Sequence, residues 1–448
     1  MVNYIGEPVM AFVVKLDTSP QVPASETLLI AYDDEYSIDY FGTHLRPWWR
    51  RGGDTDAASM LRLAADQQET VLARAREFDE TLRRRATACS GEAYTRLLAL
   101  CYRQAMAAHK LVEGPAGQPL FFSKENLSNG CIATVDVTYP SAPLFLALNP
   151  ALLRAMLDPI FEYCASDAWP HPFPAHDLGV YPKATGQVYA GDRRSADIHD
   201  LDVQMPVEEA GNMLILTAAL AHRDGDPGYA SRHWALLSQW TDYLVGVGFN
   251  PGEQLCTDDF TGQLAGNTNL SVKAILGVAC YAKLALLQGL SQTAERYRAI
   301  AVGMAEQWIA AVSSDLDGTP SGTRLAFDRP GTWSQKYNLV WDRLLGLDIF
   351  PEDVRRREQA SYAARMKTYG LPLDSRTDLT MPQWQLWAAS LVHDPAFFED
   401  LADRILLYTD TTRVRVPFSD LYRTSNAQSI GFRARSVPAG VFIALLEP

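Results

Sequence analysis

A mainly helical (α/α)6 toroid of six hairpins, with a small β remnant ahead of it, is the fold class that this sequence predicts. Three observations predict it. From about residue 56 the apolar spacing follows the 3.6-residue helical period almost to the end of the chain. The helical segments come in pairs joined by short turns, and long stretches rich in Gly, Pro, aromatic and acidic residues separate the pairs. The pairs share neither a fixed length nor a common pattern, so a helical solenoid does not fit. Alternating inner and outer helices bring every long connection out at one end of a ring, and repeated long connections usually carry function.

Taken in order, residues 9–16 and 26–42 are β-branched and aromatic and read as strands. Two or three strands do not make a stable sheet alone. Residues 1–55 are therefore expected to be the C-terminal part of a truncated β-sandwich domain, and residues 56–448 the toroid. Helices are expected at 56–88 and 92–112, 142–150 and 151–165, and 207–222 and 229–246. They continue at 268–289 and 291–313, 337–348 and 352–367, and 382–394 and 397–408, with a short helix closing the chain. The long loops are then 113–141, 166–205, 247–266, 314–336, 368–381 and 409–435.

Composition removes several function classes. A net charge of −13 repels phosphates and argues against a nucleic-acid partner. No apolar run approaches the ~18 residues of a membrane span, and Met1–Gly6 lacks the charged and apolar regions of a signal peptide. The six cysteines show no Cys-x-x-Cys spacing, so buried thiols, or one or two disulfides, are expected rather than a zinc or redox centre. No metal or cofactor is expected.

The chemistry lies in the loops. In the first, Glu125 follows Phe121-Phe-Ser-Lys124, and Asp136 lies beyond a glycine turn. Lys124 is expected to hold Glu125 ionised; a plain surface hairpin is the competing reading. In the second, His176-Asp177 stands amid prolines and aromatics as a rigid polar wall suited to sugar hydroxyls. One His-Asp step supplies too few ligands for a metal. Pro206 suits the first turn of the next inner helix, where Glu208 and Glu209 complement the positive end of the dipole. Successive helical residues point about 100° apart, so one of the two should face outward and the other the toroid mouth.

Leu255-Cys-Thr-Asp-Asp-Phe-Thr-Gly262 sets two adjacent carboxylates, Asp258 and Asp259, in a turn. Where water is scarce one of them is pushed toward protonation and becomes a proton donor; a solvated turn is the competing reading. Asn267 and Asn269 are natural cap or sugar-binding amides. The fourth loop ends in Trp333 and Lys336 at a helix entrance, Trp333 being either a stacking platform or a core residue. The fifth offers Asp374 and Arg376. An acidic, aromatic, amide-rich mouth has the composition of a carbohydrate site.

Phe122-Ser-Lys-Glu125, His176-Asp-Leu-Gly179, Pro206-Val-Glu-Glu209, Cys256-Thr-Asp-Asp-Phe260, Gly331-Thr-Trp-Ser-Gln-Lys-Tyr-Asn338 and Pro372-Leu-Asp-Ser-Arg376 together resemble the glutaminase A family of fungi and bacteria. The likeness is close over residues 120–395 and looser over most of the chain. It implies a six-hairpin body preceded by a β-rich domain, of which this chain keeps only the tail, and an extracellular setting. By name it also implies amide hydrolysis, although no Ser-x-x-Lys occurs. A more distant resemblance, to the glucosylceramide-type β-glucosidases, implies Glu125 near the nucleophile, Asp259 as acid/base and Thr257 beside it.

The residues favour a hydrolase that cleaves glycosides with paired carboxylates. Asp259 is then the general acid, with Glu125 as nucleophile if configuration is retained and Glu209 as base if it is inverted. The three should lie within about 5–10 Å of one another, with Asp258 pointing elsewhere, onto a helix cap or a backbone amide. His176, Asp177, Thr257, Asn267, Trp333, Lys336, Asp374 and Arg376 are expected to bind a small-molecule or oligosaccharide substrate. L-glutamine amidohydrolysis, and a non-catalytic carbohydrate-binding role, are the alternatives.

Overall fold

The computed structural model describes residues 13–447 apart from 22, 190–203, 257, 313–321 and 415–416, and apart from the side chain of Asp259. The expected strand at 26–42 shrinks to β1 (Ile38–Tyr40), and residues 13–16 of the expected first strand are irregular. Residues 9–12 of that strand lie outside the described residues. Val13, Ile30 and Tyr32 stay exposed, so the ladder that would order them is not supplied by the helical body. β1 turns through Phe41 and Gly42, both at positive φ, into antiparallel β2 (Thr43–Leu45). β1 also pairs in parallel with β5 (Lys183–Ala184).

Asp56 caps α1 (Ala57–Asp66) by accepting from the Ser59 amide. Next comes α2 (Gln68–Ala107), broken at Ser90 and Gly91, with Gly91 at φ 69°. The hairpin expected at 56–88 and 92–112 is present: the helix breaks at Ser90 and Gly91 and folds back so that Phe78 packs on Tyr102 with ring centroids 5.2 Å apart, and the residues after its second arm form β3 (His109–Glu113), paired with β4 (Pro119–Ser123). The remaining helices are α3 (Val135–Leu148), α4 (Pro150–Cys164), α5 (Pro206–Asp224), α6 (Gly228–Arg232), α7 (Trp234–Val247), α8 (Thr268–Leu287) and α9 (Ser291–Val312). A 3₁₀ turn, Tyr337–Leu339, runs into α10 (Val340–Leu344), followed by α11 (Glu352–Ala363), α12 (Pro382–Ala389) and α13 (Pro395–Thr411). The short strands β6 (Leu379–Thr380) and β7 (Tyr422–Arg423) pair with each other, and a 3₁₀ helix, Val437–Leu446, closes the chain.

Packing sorts these elements into two rings. α3, α5, α8, the Tyr337–Leu344 stretch, α12 and the Val437–Leu446 helix contact one another in turn, and the last packs back on α3 to close the inner ring. α4, α7, α9, α13 and the second half of α2 pack outside them. The sixth pair is therefore made by the two ends of the chain, α2 outside and Val437–Leu446 inside, not by a local hairpin. Inner helices are buried on all sides, as α5 is from Val207 to Ala221. α8 has the length and apolarity of a membrane span, but 83% of that stretch is buried as an inner helix. None of the six cysteines is in a disulfide.

The fold positions the site by tying the long loops to each other around the ring. Cys131 bridges Val180, and the Val207 amide at the start of α5 donates to Gln254 in the third loop. Asn267 bridges Ala326, Ser334 bridges Asp374, and β6 pairs with β7. Leu127 bridges Arg433 and completes the circle. The loops share one end of the toroid, as the alternation of short and long connections predicts.

Candidate functional site

Glu125 leaves β4 into a tight turn, with the Gly130 amide donating to the Glu125 carbonyl and Gly130 at φ 83°. The turn folds the carboxylate inward, where it is 3% exposed. It accepts from Thr134 Oγ1 at 2.9 Å and pairs with the Arg435 guanidinium at 3.2 Å. Lys124 does not supply the countercharge; its ammonium lies over the Tyr181 ring, 5.5 Å from the centroid. Arg435 reaches Glu125 from the last loop and is held in place by buried Asp420.

His176 and Asp177 divide the labour that sequence gave them jointly. Asp177 is fully buried and accepts from the amides of Gly179, Val188 and Tyr189 at 2.7–3.1 Å, so it orders its own loop and does not face a ligand. Its other contact, at 3.0 Å, is His176 Nδ1. That leaves His176 Nε2 directed at Asp136 of the first turn of α3, 3.4 Å away, with the Tyr189 ring stacked on the imidazole at 3.8 Å.

Glu208 and Glu209 both point inward, each 1% exposed. The expectation that one faces solvent fails because α5 is an inner helix and has no solvent face. Glu208 pairs with fully buried Lys273, and Asn212 donates to Glu209 at 2.9 Å and to Glu208 at 3.3 Å. Glu209 closes a triangle with Asp136 and His176, in which one candidate ligand atom from each lies within 4.8 Å of the others. Burial first, and then the charge of Asp136, push the Glu209 carboxyl well above the usual carboxylate range, against the opposing pull of His176. Burial alone would lower the His176 imidazolium, but Asp136, Asp177 and Glu209 outweigh it and hold it up at about 10. The same triangle has the donor set for a divalent ion, and such an ion would have to displace the His176 proton.

A cavity of about 370 Å³ opens beside these groups, and Glu125, Asp136, His176, Tyr189, Phe432 and Arg435 line it. Of the three groups expected to catalyse, Glu125 and Glu209 come to this region, Glu125 in the wall and Glu209 behind it. The side chain of Asp259, and Thr257, lie outside the described residues. The described acid of that turn is Asp258, whose carbonyl accepts from the Thr261 amide. It is buried, accepts from Tyr337 Oη at 3.1 Å, and is pushed up to about 7 by burial and by Asp374 and Glu208.

The remaining expected binders serve the scaffold. Asn267 caps α8 by accepting from the amides of Asn269 and Leu270. Trp333 is half-buried beneath the Arg365 guanidinium, 5.0 Å from its ring, so that face is already covered. Lys336 is fully buried and donates to Ser334 Oγ at 2.8 Å, the Ser334 carbonyl at 3.1 Å and the Thr323 carbonyl at 3.3 Å. Burial pulls it down to about 8 despite Glu358, Asp374 and Asp258. Arg376 clasps Asp374 and crosses to Thr261 Oγ1 at 2.5 Å, fastening the third loop to the fifth.

Asp136 and Arg435 are charged cavity residues that received no role from sequence. Asp136 was visible as an acid beyond the Gly130 turn, but a first-turn acid on a helix is ordinary. Arg435 sits in Gly-Phe-Arg-Ala-Arg-Ser436, and it is tied to Glu125 only through ring closure, across 310 residues of sequence.

Comparison with known proteins agrees with this architecture. Residues 91–445 match the family model described as the glutaminase A six helical-hairpin domain, and residues 3–85 match a domain of unknown function, DUF5127. The chain is 32% identical over 450 residues to Glutaminase A of Aspergillus oryzae, covering 98% of this chain and 63% of that protein. A glutaminase-named protein of Arthroderma benhamiae is 27% identical over 523 residues, covering 96% and 59%. This chain thus spans less than two thirds of the length of either relative. Among solved structures, a metal-independent α-mannosidase of Streptococcus pneumoniae superposes with TM-score 0.58 at 12% identity, covering 83% of this chain and 97% of that one. A bacterial glucoamylase complexed with acarbose superposes with TM-score 0.50 at 11% identity, covering 77% and 54%. Those two likenesses bear on the fold alone.

Proposed function

The chain belongs to the glutaminase A six helical-hairpin family, and from that premise we propose that this hydrolase releases ammonia from the side-chain amide of L-glutamine. One observation carries the reading: a single small cavity holds an opposite-charge pair, Arg435 with Glu125, next to an acid–imidazole group, Asp136 with His176, backed by Glu209. A free amino acid presents a carboxylate and an ammonium on one carbon, and Arg435 and Glu125 offer the matching charges. At about 370 Å³ the cavity suits a small substrate, near the lower end of the ~300–1,000 Å³ usual for ligand sites.

In this reading Asp136, the triangle's cavity-lining carboxylate, takes a proton from water as the water oxygen bonds to the amide carbon. The positive charge of His176 stabilises the negative charge that develops on the carbonyl oxygen. Collapse breaks the carbon–nitrogen bond, and the leaving nitrogen receives a proton from the pool that Asp136 shares with Glu209. The products are glutamate and ammonia, and no nucleophilic serine is needed.

Glycoside hydrolysis is the second reading, and the close approach of Asp136 and Glu209 favours it, since retaining enzymes set two carboxyl groups ~5–5.5 Å apart. One of that pair would then be the nucleophile and the other the acid/base. The purified chain assayed side by side on L-glutamine and on a panel of aryl glycosides decides between them. Ammonia release with intact glycosides supports the amidohydrolase; aryl release without ammonia replaces it with the glycosidase. We also take residues 1–55 as the end of a β-domain, a reading supported by the exposed Val13, Ile30 and Tyr32.

A further inference from the structure

Three parts of the ring converge at the cavity wall. Asp136 comes from the first turn of α3, His176 from the second long loop and Glu209 from the first turn of α5, and one ligand atom of each lies within 4.8 Å of the other two. His176 Nε2 and the Asp136 carboxylate stand 3.4 Å apart. That is wider than the ~2.7–2.9 Å of a closed charge-assisted hydrogen bond, and it matches the edge of a tetrahedron whose corners lie about 2.1 Å from a zinc ion. Glu209 supplies an independent sign. It is 1% exposed, and while Oε2 accepts from Asn212, Oε1 has no hydrogen-bond partner among the described residues. A buried oxygen without a partner is costly, and coordination to a cation removes that cost. The outer contacts fit as well. His176 Nδ1 is held at 3.0 Å by Asp177, which three backbone amides fix in turn. A carboxylate behind the imidazole, setting the other ring nitrogen toward the ligand position, is the usual support of a metal-binding histidine.

We propose that Asp136, His176 and Glu209 form a binding site for a divalent transition ion of the zinc type, open on its fourth side to the cavity that Asp136 and His176 line. One imidazole and two carboxylates suit zinc, whereas calcium takes about six to eight oxygens and magnesium keeps several of its waters in an octahedron. The cavity gives the ion its path in. Binding sends the protons of His176 and Glu209 to solvent, so two positive charges leave the buried group as two enter. Sequence offered only the His176–Asp177 step, because Asp136 and Glu209 stand on separate inner helices.

Zinc should inhibit glutamine turnover over the concentrations at which it binds, since the ion holds the Asp136 carboxylate that takes the proton from water. That consequence rests on the amidohydrolase reading; the binding does not. A filled zinc site in a chain that releases no ammonia, or releases it undiminished, would sink that reading and leave the site standing. Calorimetric titration of the full, chelator-stripped chain tests the site itself. One zinc ion per chain is expected, with no binding of magnesium or calcium at the same concentrations. Glu209→Gln keeps the shape and an acceptor for Asn212, yet should weaken zinc by more than the roughly 10–100-fold that loss of an outer-shell partner costs. His393→Ala, which removes an exposed imidazole, should leave the affinity unchanged. Zinc held as tightly by Glu209→Gln as by the wild type overturns the site, and so does calcium bound as tightly as zinc. If Glu209→Gln does not fold, X-ray absorption at the zinc edge of the wild type decides. A nitrogen–oxygen shell at about 2.0–2.2 Å containing one imidazole is expected, and sulfur in that shell, from any of the six cysteines, overturns the site.

Discussion

Arg435 is the residue on which the cavity wall depends, because it neutralises two buried carboxylates from different loops, Glu125 and Asp420. Removing a buried cation costs more than its pairing gained, since the acids stay behind uncompensated. Arg435→Met should lower unfolding free energy by about 3–5 kcal/mol in a denaturant titration, and a loss under about 1 kcal/mol would mean that the acids find other partners. His176 makes a prediction of opposite chemistry. Its folded value of about 10 lies above the ordinary 6.5, so its stabilisation is complete below pH 6.5 and is lost as pH rises through about 10. Tm should therefore fall between pH 8 and 10, and less steeply in His176→Asn; an equal slope in the two would remove His176 as the cause. Sequence exposed Glu125, Glu209 and His176 because each stands in a loop or cap with unusual neighbours. It did not show that Lys124 turns to Tyr181, or Asp177 and Lys336 to their own loops, because charge in a sequence does not say which way a side chain points.

At the scale of elements, the helical period placed α5, α8 and α9 within a residue or two, since a fully buried or amphipathic helix leaves an unbroken apolar pattern. It set the start of α3 at 142 instead of 135, because Pro140 and Pro143 look like breakers until surrounding helices bury the whole stretch. It read a hairpin at Ser90–Gly91, and there the glycine at positive φ does turn the chain back, bringing Tyr102 onto Phe78. The apolar run at 26–42 carries β-propensity, but propensity without a partner strand makes no ladder. Residues 23–36 show no strand and expose Leu28, Ile30 and Tyr32. Their amides should exchange with solvent far faster than those of α5 and α8. Protection equal to α8 would count against their being the loose end of a β-domain.

For the whole molecule, ring closure converts six loops that are far apart in sequence into one polar mouth. The toroid was legible from the alternation of short and long connections, but its closing pair was not, because no local pattern joins residue 91 to residue 446. The functional claim rests on the same closure, since Asp136, His176, Glu209 and Arg435 each come from a different part of the ring. Ammonia release from L-glutamine by the wild type and by Asp136→Asn tests it most directly. The account predicts turnover by the wild type, and in the variant a loss of about 10² to 10⁴ in kcat with little change in KM, as expected when a general base is removed and binding is kept. Wild-type turnover that survives undiminished in Asp136→Asn would contradict it.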